Sequence, residues 1–377
     1  MAQERRADDA MTRASDAAAA DRQMLVLVRE AKGWTQRDLA AASAIHQSAI
    51  SKYENGLVEL RGANLRAVAA ALGCPPELLT TPLPDPSLDA VSLHHRRRGS
   101  LMSVAATKKV EGLAQLTRIS VEALLNASGS SPTVSLPTVV TDDEPIDSAA
   151  AAARIRTAAG VAPGPIHSLM EAVERLGVVV VQRPLGGTAQ DAVSSWPFDP
   201  SRPPILVIST GLSGDRQRFT LAHELGHLLL HRLPSDTQEA EADAFAAALL
   251  APAKDIHDDL EGLTTREIRR LVELKVKWGM SVAALVRRAS DLELISERQY
   301  REFNVKLSRL GWRSSEPVTI APERPRALAD ALEDQMRSGR TAGDLARIAM
   351  MTDEAFRAYF PVPDSTTLSR AEEQDPL

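Results

Sequence analysis

The chain has 377 residues, 44% of them hydrophobic and 25% charged, with a formal net charge of −6. That composition supplies a real core and excludes wholesale disorder; the mild acidity excludes a basic nucleic-acid coat but leaves room for a local binding face. A single cysteine, Cys74, excludes intrachain disulfides and Cys-rich zinc fingers and fits a reducing compartment, so a cytoplasmic location is expected.

Residues 1–20 are charged and Ala-rich and read as a disordered tail without the apolar stretch of a signal peptide. The longest apolar runs, such as Val178 to Val181, fall far short of the roughly 20 residues that span a membrane, so no membrane partner is expected. Residues 21–80 carry apolar positions at helical spacing (Leu25, Val28, Leu39, Ile50, Leu65, Val68, Leu72), which predicts four or five short helices. Thr35 stands as an N-cap after Gly33 closes the preceding helix. Ser43 ends the next helix, and another begins at His46. Residues 81–146 read as a helical linker region: Pro82, Pro84 and Pro86 open it, and a helical pattern runs from Val91 to Ala127. The linker carries a basic run, His94, His95, Arg96, Arg97, Arg98, Lys108 and Lys109.

Residues 147–320 change to mixed α and β. Helices are expected at Asp147–Ala159 and Pro165–Leu176, and strands at Val178–Gln182, Ala192–Trp196 and Ile205–Ser209. Further helices follow at Asp215–His231, Gln238–Leu250, Thr264–Trp278, Ser281–Leu292 and Ser296–Leu310. Residues 321–377 read as a helical C-terminal tail of unassigned role, with one helix at Pro325–Met336.

The most informative stretch is His223-Glu224-Leu225-Gly226-His227, an H-E-x-x-H on an otherwise uncharged helix. Residues four apart share a helix face, so His223 and His227 can aim both imidazoles at one Zn²⁺ per chain, with Glu224 beside the metal as the general base. Leu230 and Leu233 exclude the longer form of the motif that needs Gly and His there. The third ligand then comes from Glu239-Ala240-Glu241-Ala242-Asp243. Glu239 is the first choice and Glu241 the second, while Asp243 shares the face of Glu239 and can accept the outer N–H of a ligating histidine. Three ligands and an open position suit amide hydrolysis, with Glu224 taking a proton from water and passing it to the leaving amine. His231, four past His227, is a candidate for stabilising the transition state, or for capping the helix. Arg216 and Arg218 read as a solvated helix start. The edge of Ile205–Ile208 is expected to hold an extended peptide substrate. His46, His94, His95, His167 and His257 lack ligand spacing.

Within residues 21–80, Thr35 to Ala40 and His46 to Lys52 suit the two helices of a helix-turn-helix. Gln47 can pair bidentately with adenine, Ser48 and Ser51 can meet base edges or phosphates, and Gln36 and Lys52 suit phosphates of a double-stranded DNA operator. Residues 1–80 hold ten Lys/Arg and ten Asp/Glu, so the footprint is a local face, and a homodimer is expected to strengthen it.

Leu25 to Leu79, with Gly33-Trp34-Thr35-Gln36 and Ile50-Ser51-Lys52-Tyr53-Glu54-Asn55-Gly56, resembles the XRE (Cro/C1-type) helix-turn-helix family. Arg216 to His231 and Glu239 to Pro252 resemble the ImmA/IrrE metallopeptidase family. One departure is Ala251, where many members carry Met before the proline. Trp278-Gly279-Met280-Ser281 and Gly311-Trp312-Arg313 look like the helical extension of longer members. The resemblance implies a multidomain, mainly α protein: an all-α helix-turn-helix domain, then an α+β zincin-like (gluzincin) domain with a small sheet and a helical C-terminal extension. It further implies a regulator that relieves repression by cleaving a protein substrate, a repressor, in stress or mobile-element control. Two other functions stay open: a regulator whose peptidase-like domain only senses a ligand, and an antitoxin-like regulator.

Overall fold

The computed structural model describes residues 18–83, the backbone of 89–92, residues 103–129, 147–185, 190–197, 202–231 and 235–360, and the single positions 134, 136, 137 and 199. The basic run at 94–98 and both chain ends lie outside the described residues. Five helices build the N-terminal unit: α1 (Arg22–Ala31), α2 (Gln36–Ser43), α3 (Gln47–Glu54), α4 (Gly62–Leu72) and α5 (Pro76–Thr80). Their starts follow local chemistry. The Asp21 carboxylate accepts from the Met24 amide at 2.8 Å, and Thr35 and Asp38 close a reciprocal capping box at the head of α2. His46 caps α3 through Nδ1, which accepts from the Ser48 amide. Met24, Leu25, Leu39, Ile50, Leu65 and Leu79 meet in a core of their own.

The long helix expected from Val91 to Ala127 is divided. Asp89–Ser92 form a strand, β1, and the helix α6 (Val104–Ser128) starts only after Ser103, whose hydroxyl accepts from the Ala106 amide. Local pattern cannot announce β1, because its hydrogen bonds come from a strand far along the chain. That partner is β3 (Ala192–Pro197), which with β2 (Val179–Gln182) and β4 (Ile205–Ile208) completes a sheet ordered β1-β3-β4-β2. β1 and β4 run antiparallel to β3, and β2 runs parallel to β4. β4 is therefore interior, flanked on both sides, and cannot offer the peptide edge expected of Ile205–Ile208.

β2, β3 and β4 are buried on both faces, as the Val/Ile-rich runs of β2 and β4 require. Val180, Ala192, Leu206 and Ile208 face the larger core. That core is built by α7 (Ser148–Ala158), α8 (Leu169–Arg175), α9 (Gly214–Leu230), α10 (Gln238–Leu250), α11 (Ala253–Leu260), α12 (Ile268–Trp278), α13 (Val282–Asp291) and α14 (Glu297–Arg309). α8 begins four residues later than Pro165, after Ser168, whose hydroxyl accepts from the Glu171 amide and caps the helix. Arg156 Nη2 donates to Gly164 O at 2.5 Å and Arg218 Nη2 to Ile166 O at 2.8 Å. α11 carried no expectation. Among the described residues no helix is long and apolar enough to cross a membrane.

Val179, Val181, Val193, Ile205 and Val207 face the opposite way, into a second core. It is closed by α6 and by three C-terminal helices, α15 (Ala327–Arg337), α16 (Ala342–Ile348) and α17 (Asp353–Tyr359). α6 therefore has two jobs. Its later turns place Val121, Leu124 and Leu125 on the sheet. Its earlier turns lie on α1: Lys108 Nζ meets Glu30 Oε1 at 2.8 Å, and Gly112 lets the backbones almost touch. A Cβ on Gly112 would stand 3.0 Å from both the Cβ and the N of Ala31. Gly112→Leu should force α1 and α6 apart at a cost of about 1–3 kcal/mol. Hydrogen exchange should then quicken in α1 and the first turns of α6 while β2–β4 keep their protection; unchanged exchange in α1 would contradict this packing.

Candidate metal centre and helix-turn-helix

α9 enters the core under close constraint. A Cβ on Gly214 would lie 2.3 Å from the Ala321 carbonyl oxygen, so the segment after α14 crosses the helix start with no room for a side chain. Glu323 continues this strap: it pairs with Arg218 and accepts the Met170 amide at 2.6 Å, and its backbone N–H donates to Gln217 Oε1 at 2.7 Å. Arg218 is thus buried and ion-paired rather than solvated, whereas Arg216 does sit at the surface, on Asp191. Beneath them Lys275 bridges Asp215 and Glu316 at 2.6 and 2.8 Å. One end of α9 is locked before the motif begins.

His223, Glu224 and His227 are all buried on the following turns. α10 lies against them because Gly226 leaves space for it; a Cβ there would stand 3.0 Å from Phe245 Cδ1 and 3.3 Å from Ala242 Cα. This approach delivers Glu239. His223 Nε2 and His227 Nε2 are 3.0 Å apart, and the Glu239 carboxylate oxygens lie 3.7 and 3.4 Å from them. Donors about 2.0–2.2 Å from a tetrahedral Zn²⁺ are spaced by about 3.3 Å, so the three groups fit one ion. Glu241, the second choice, points to His231 instead.

The outer nitrogens strengthen the fit. His223 Nδ1 donates to Asp243 Oδ1 at 2.9 Å. His227 Nδ1 lies 2.9 Å from His231 Nδ1, and His231 Nε2 donates to Glu241 Oε2 at 2.9 Å. Burial holds the His231 imidazole below its ordinary pKa, favouring the neutral ring. A neutral His231 that donates from Nε2 must accept at Nδ1, so His227 donates from Nδ1. His223 and His227 then aim bare lone pairs at each other and at a carboxylate. Such a cluster is repulsive until a cation enters it. His231 has both ring nitrogens engaged behind His227, away from the point where the three donors meet.

Glu224 has a partner the sequence did not suggest. Ser194, wholly buried on β3, donates Oγ to Glu224 Oε2 at 2.9 Å. The available hint is that Ser194 and Ser195 sit in a strand otherwise built to be buried, where a hydroxyl needs a reason. Glu323 and Gln217 gave no hint, since their contacts are long-range.

Residues 173–290, from α8 into α13, match the IrrE N-terminal-like domain, and residues 26–79 match the helix-turn-helix family. The chain joins a helix-turn-helix domain to an IrrE-type metallopeptidase domain. A curated relative, the radiation response metalloprotease IrrE of Deinococcus deserti, is 35% identical over 156 residues, covering 35% of this chain and 52% of the relative. The chain thus spans about half the length of that protein. The metal implied by an IrrE-type domain is typically zinc, and His223, His227 and Glu239 have the donor types and spacing to hold it.

In the helix-turn-helix domain Gln47, Ser48 and Lys52 are exposed along α3, and Gln36 and Ser51 are half-buried. Gln47 Nε2 donates to Gln36 Oε1 at 3.0 Å, and Gln36 Nε2 donates to Glu54 Oε2 at 2.9 Å. Arg29 grips the same carboxylate at 2.6 and 3.0 Å. The two glutamines are therefore positioned by a chain that ends in a buried ion pair. The Ser48 hydroxyl lies 2.8 Å from His46 Nδ1 and shares in the cap.

Ligand and outer roles are separable by metal analysis. Glu239→Ala should lose stoichiometric zinc, whereas Glu241→Ala should retain it with about 10–100-fold weaker affinity in chelator competition, as expected when an orienting partner is removed. The reverse order would transfer ligation to Glu241.

Proposed function

We propose that this chain is a zinc endopeptidase tethered to an operator by its helix-turn-helix domain, and that it relieves repression by cutting a protein substrate, a repressor. The observation that carries the reading is the convergence of His223 Nε2, His227 Nε2 and the Glu239 carboxylate within about one ion's reach, beside a Glu224 carboxylate held by Ser194. When bound, zinc supplies a Lewis acid for a peptide carbonyl and makes water acidic enough to attack it near neutral pH.

The chain's own groups do the rest. Glu224 accepts the proton released as water attacks, then delivers it to the departing amide nitrogen, which leaves as an amine. Ser194 fixes which carboxylate oxygen carries the hydrogen bond, so the base meets its proton without first reorganising. Asp243 and the His231–Glu241 pair hold the two imidazoles in the tautomer that ligates. Positioning His231 behind His227 makes it an orienting residue in this reading, in place of a transition-state contact. The helix-turn-helix domain brings the catalytic unit to target genes, with Gln47 reading a base and Lys52 and Gln36 holding phosphates. Operators with two half-sites would take a homodimer. The name of the Deinococcus relative supports a stress setting for the cleavage.

Glu224→Gln should keep zinc and operator affinity, because the amide is nearly isosteric and is not a ligand. Hydrolysis should fall by about 10²–10⁴-fold, since Gln cannot take the proton. Comparing protein N-termini in stressed cells carrying either form should show a cut repressor only with the wild type; normal gene induction with no cut protein would favour the sensing function. Gln47→Ala should weaken binding to promoter fragments recovered from cells by about 1–3 kcal/mol and relax sequence choice, and Lys52→Ala should weaken all sequences and flatten the salt dependence. Gel-shift titrations at several salt concentrations measure both.

A further inference from the structure

β3 is the strand that reaches Glu224, through Ser194. One side of β3 is hydrogen-bonded to β4. The other is occupied by β1, a four-residue strand from the segment between the helix-turn-helix domain and α6. The pairing is antiparallel: Asp89 stands opposite Pro197, Ala90 opposite Trp196, Val91 opposite Ser195, and Ser92 opposite Ser194. The linker backbone therefore runs beside the residue that holds the catalytic carboxylate.

A protein substrate has to lie extended past Glu224 and the three metal-binding side chains. A free strand edge offers it a row of N–H and C=O groups, with backbone pairing for affinity and alternate side chains for selectivity. β4 is interior and β2 is separated from β3 by β4. The outer side of β3 is thus the sheet edge adjoining Glu224, and this chain fills it with its own residues.

We infer that residues 89–92 are a built-in competitor for the peptide edge of β3, so that an extended protein substrate binds only when β1 leaves. This rests on the peptidase reading above. A second observation agrees with it. α6, the next element after β1, is fixed at two points: Gly112 against Ala31 of the helix-turn-helix domain, and Arg118 against β3. Arg118 Nε donates to Ser195 Oγ at 2.9 Å and Nη2 donates to Ser195 O at 2.6 Å. The same short stretch of chain thus links the DNA-reading unit to the strand beside the catalytic glutamate.

The test uses the full-length zinc-loaded chain in a Glu224→Gln background, so that binding is read without cleavage. The probe is a fluorescent peptide with the sequence of residues 86–95. Alternate residues of an antiparallel strand donate to the partner, so Ala90→Pro with Val91→Pro removes one ladder donor whichever parity holds. The double variant should bind the probe at least about tenfold more tightly than its parent, and β3 amides should exchange faster until the probe restores their protection. Equal affinity in the two proteins, or absence of binding in both, would overturn the proposal, as would unchanged β3 exchange. Zinc content and α9–α10 protection equal to the parent's show that the variant is folded. Asp89→Cys with Pro197→Cys provides an independent check: mild oxidation should join the two positions and abolish probe binding, and reductant should restore the parent's affinity. Failure to cross-link would place β1 elsewhere and refute the inference. Hydrolysis is measured apart from these experiments. A chain that shows the competition but never cuts peptide loses only the peptidase reading, and one that cuts but shows no competition loses only this inference.

Discussion

Two buried helices can share one ion only if their axes come close enough for side chains from both to reach the same point. Gly226 sets that distance. With a hydrogen in place of a methyl group, α10 settles against α9 until Phe245 and Ala242 fill the gap, and Glu239 arrives between the imidazoles of His223 and His227. Because packed interiors relax only slightly, a larger residue at this position would be felt as a change in ligand spacing as well as a loss of stability. The outer partners depend on the same approach. Asp243 and Glu241 both project from α10 to histidines of α9 or its C-terminal cap, so one helix–helix contact sets the three candidate donors and the orientation of the imidazoles together.

Around this contact the structure uses buried cations as struts. Arg156 collects the carbonyls of Ala162, Gly164 and Leu249; Arg118 ties α6 to Ser195 and Pro203; Lys275 joins Asp215 to Glu316; Arg218 joins Glu323 to the Ile166 carbonyl. Each links segments that are distant in sequence. Removing one member of the Lys275 or Arg218 ion pairs would strand a charge in the interior, which costs far more than the net stabilisation of the intact pair. Such struts therefore specify where the segments sit more than they add to stability. The strap at Ile320–Glu323 shows the result: a stretch with no regular structure is held across the start of α9 by backbone hydrogen bonds and one ion pair.

Much of this was readable in the residues. Helix periodicity, capping residues and the H-E-x-x-H spacing are local, so α2, α3, α9 and α10 and the pairing of His223 with His227 follow from short windows of sequence. The acidic stretch offered Glu239 as first and Glu241 as second choice for the third donor; that Glu239 lies by the two imidazoles while Glu241 reaches His231 depends on how α10 packs on α9, which no short window of sequence records. The signals that failed are those set by distant partners. β1 is four residues without a β-rich pattern, made a strand by β3. Arg218 looks solvated by position yet is buried because a strap arrives from a hundred residues later. The Ile205–Ile208 run has the composition of a buried strand, and its β-branched residues could not tell an edge from the centre of a sheet. The C-terminal helices gave periodicity but no hint that they close the second face of the sheet.

The linker strand is covalently part of the molecule whose edge it fills, and that changes the arithmetic of competition. A tethered segment acts at an effective concentration on the order of mM, set by geometry and independent of how much protein a cell contains. An incoming chain must outcompete that constant presence, so weakly matching polypeptides are ignored unless their concentration approaches the same range. Selectivity of this kind needs no elaborate pocket. It comes from a threshold, fixed by the length and stiffness of the connection to α6, and evolution can raise or lower it by editing the linker without touching a single catalytic side chain.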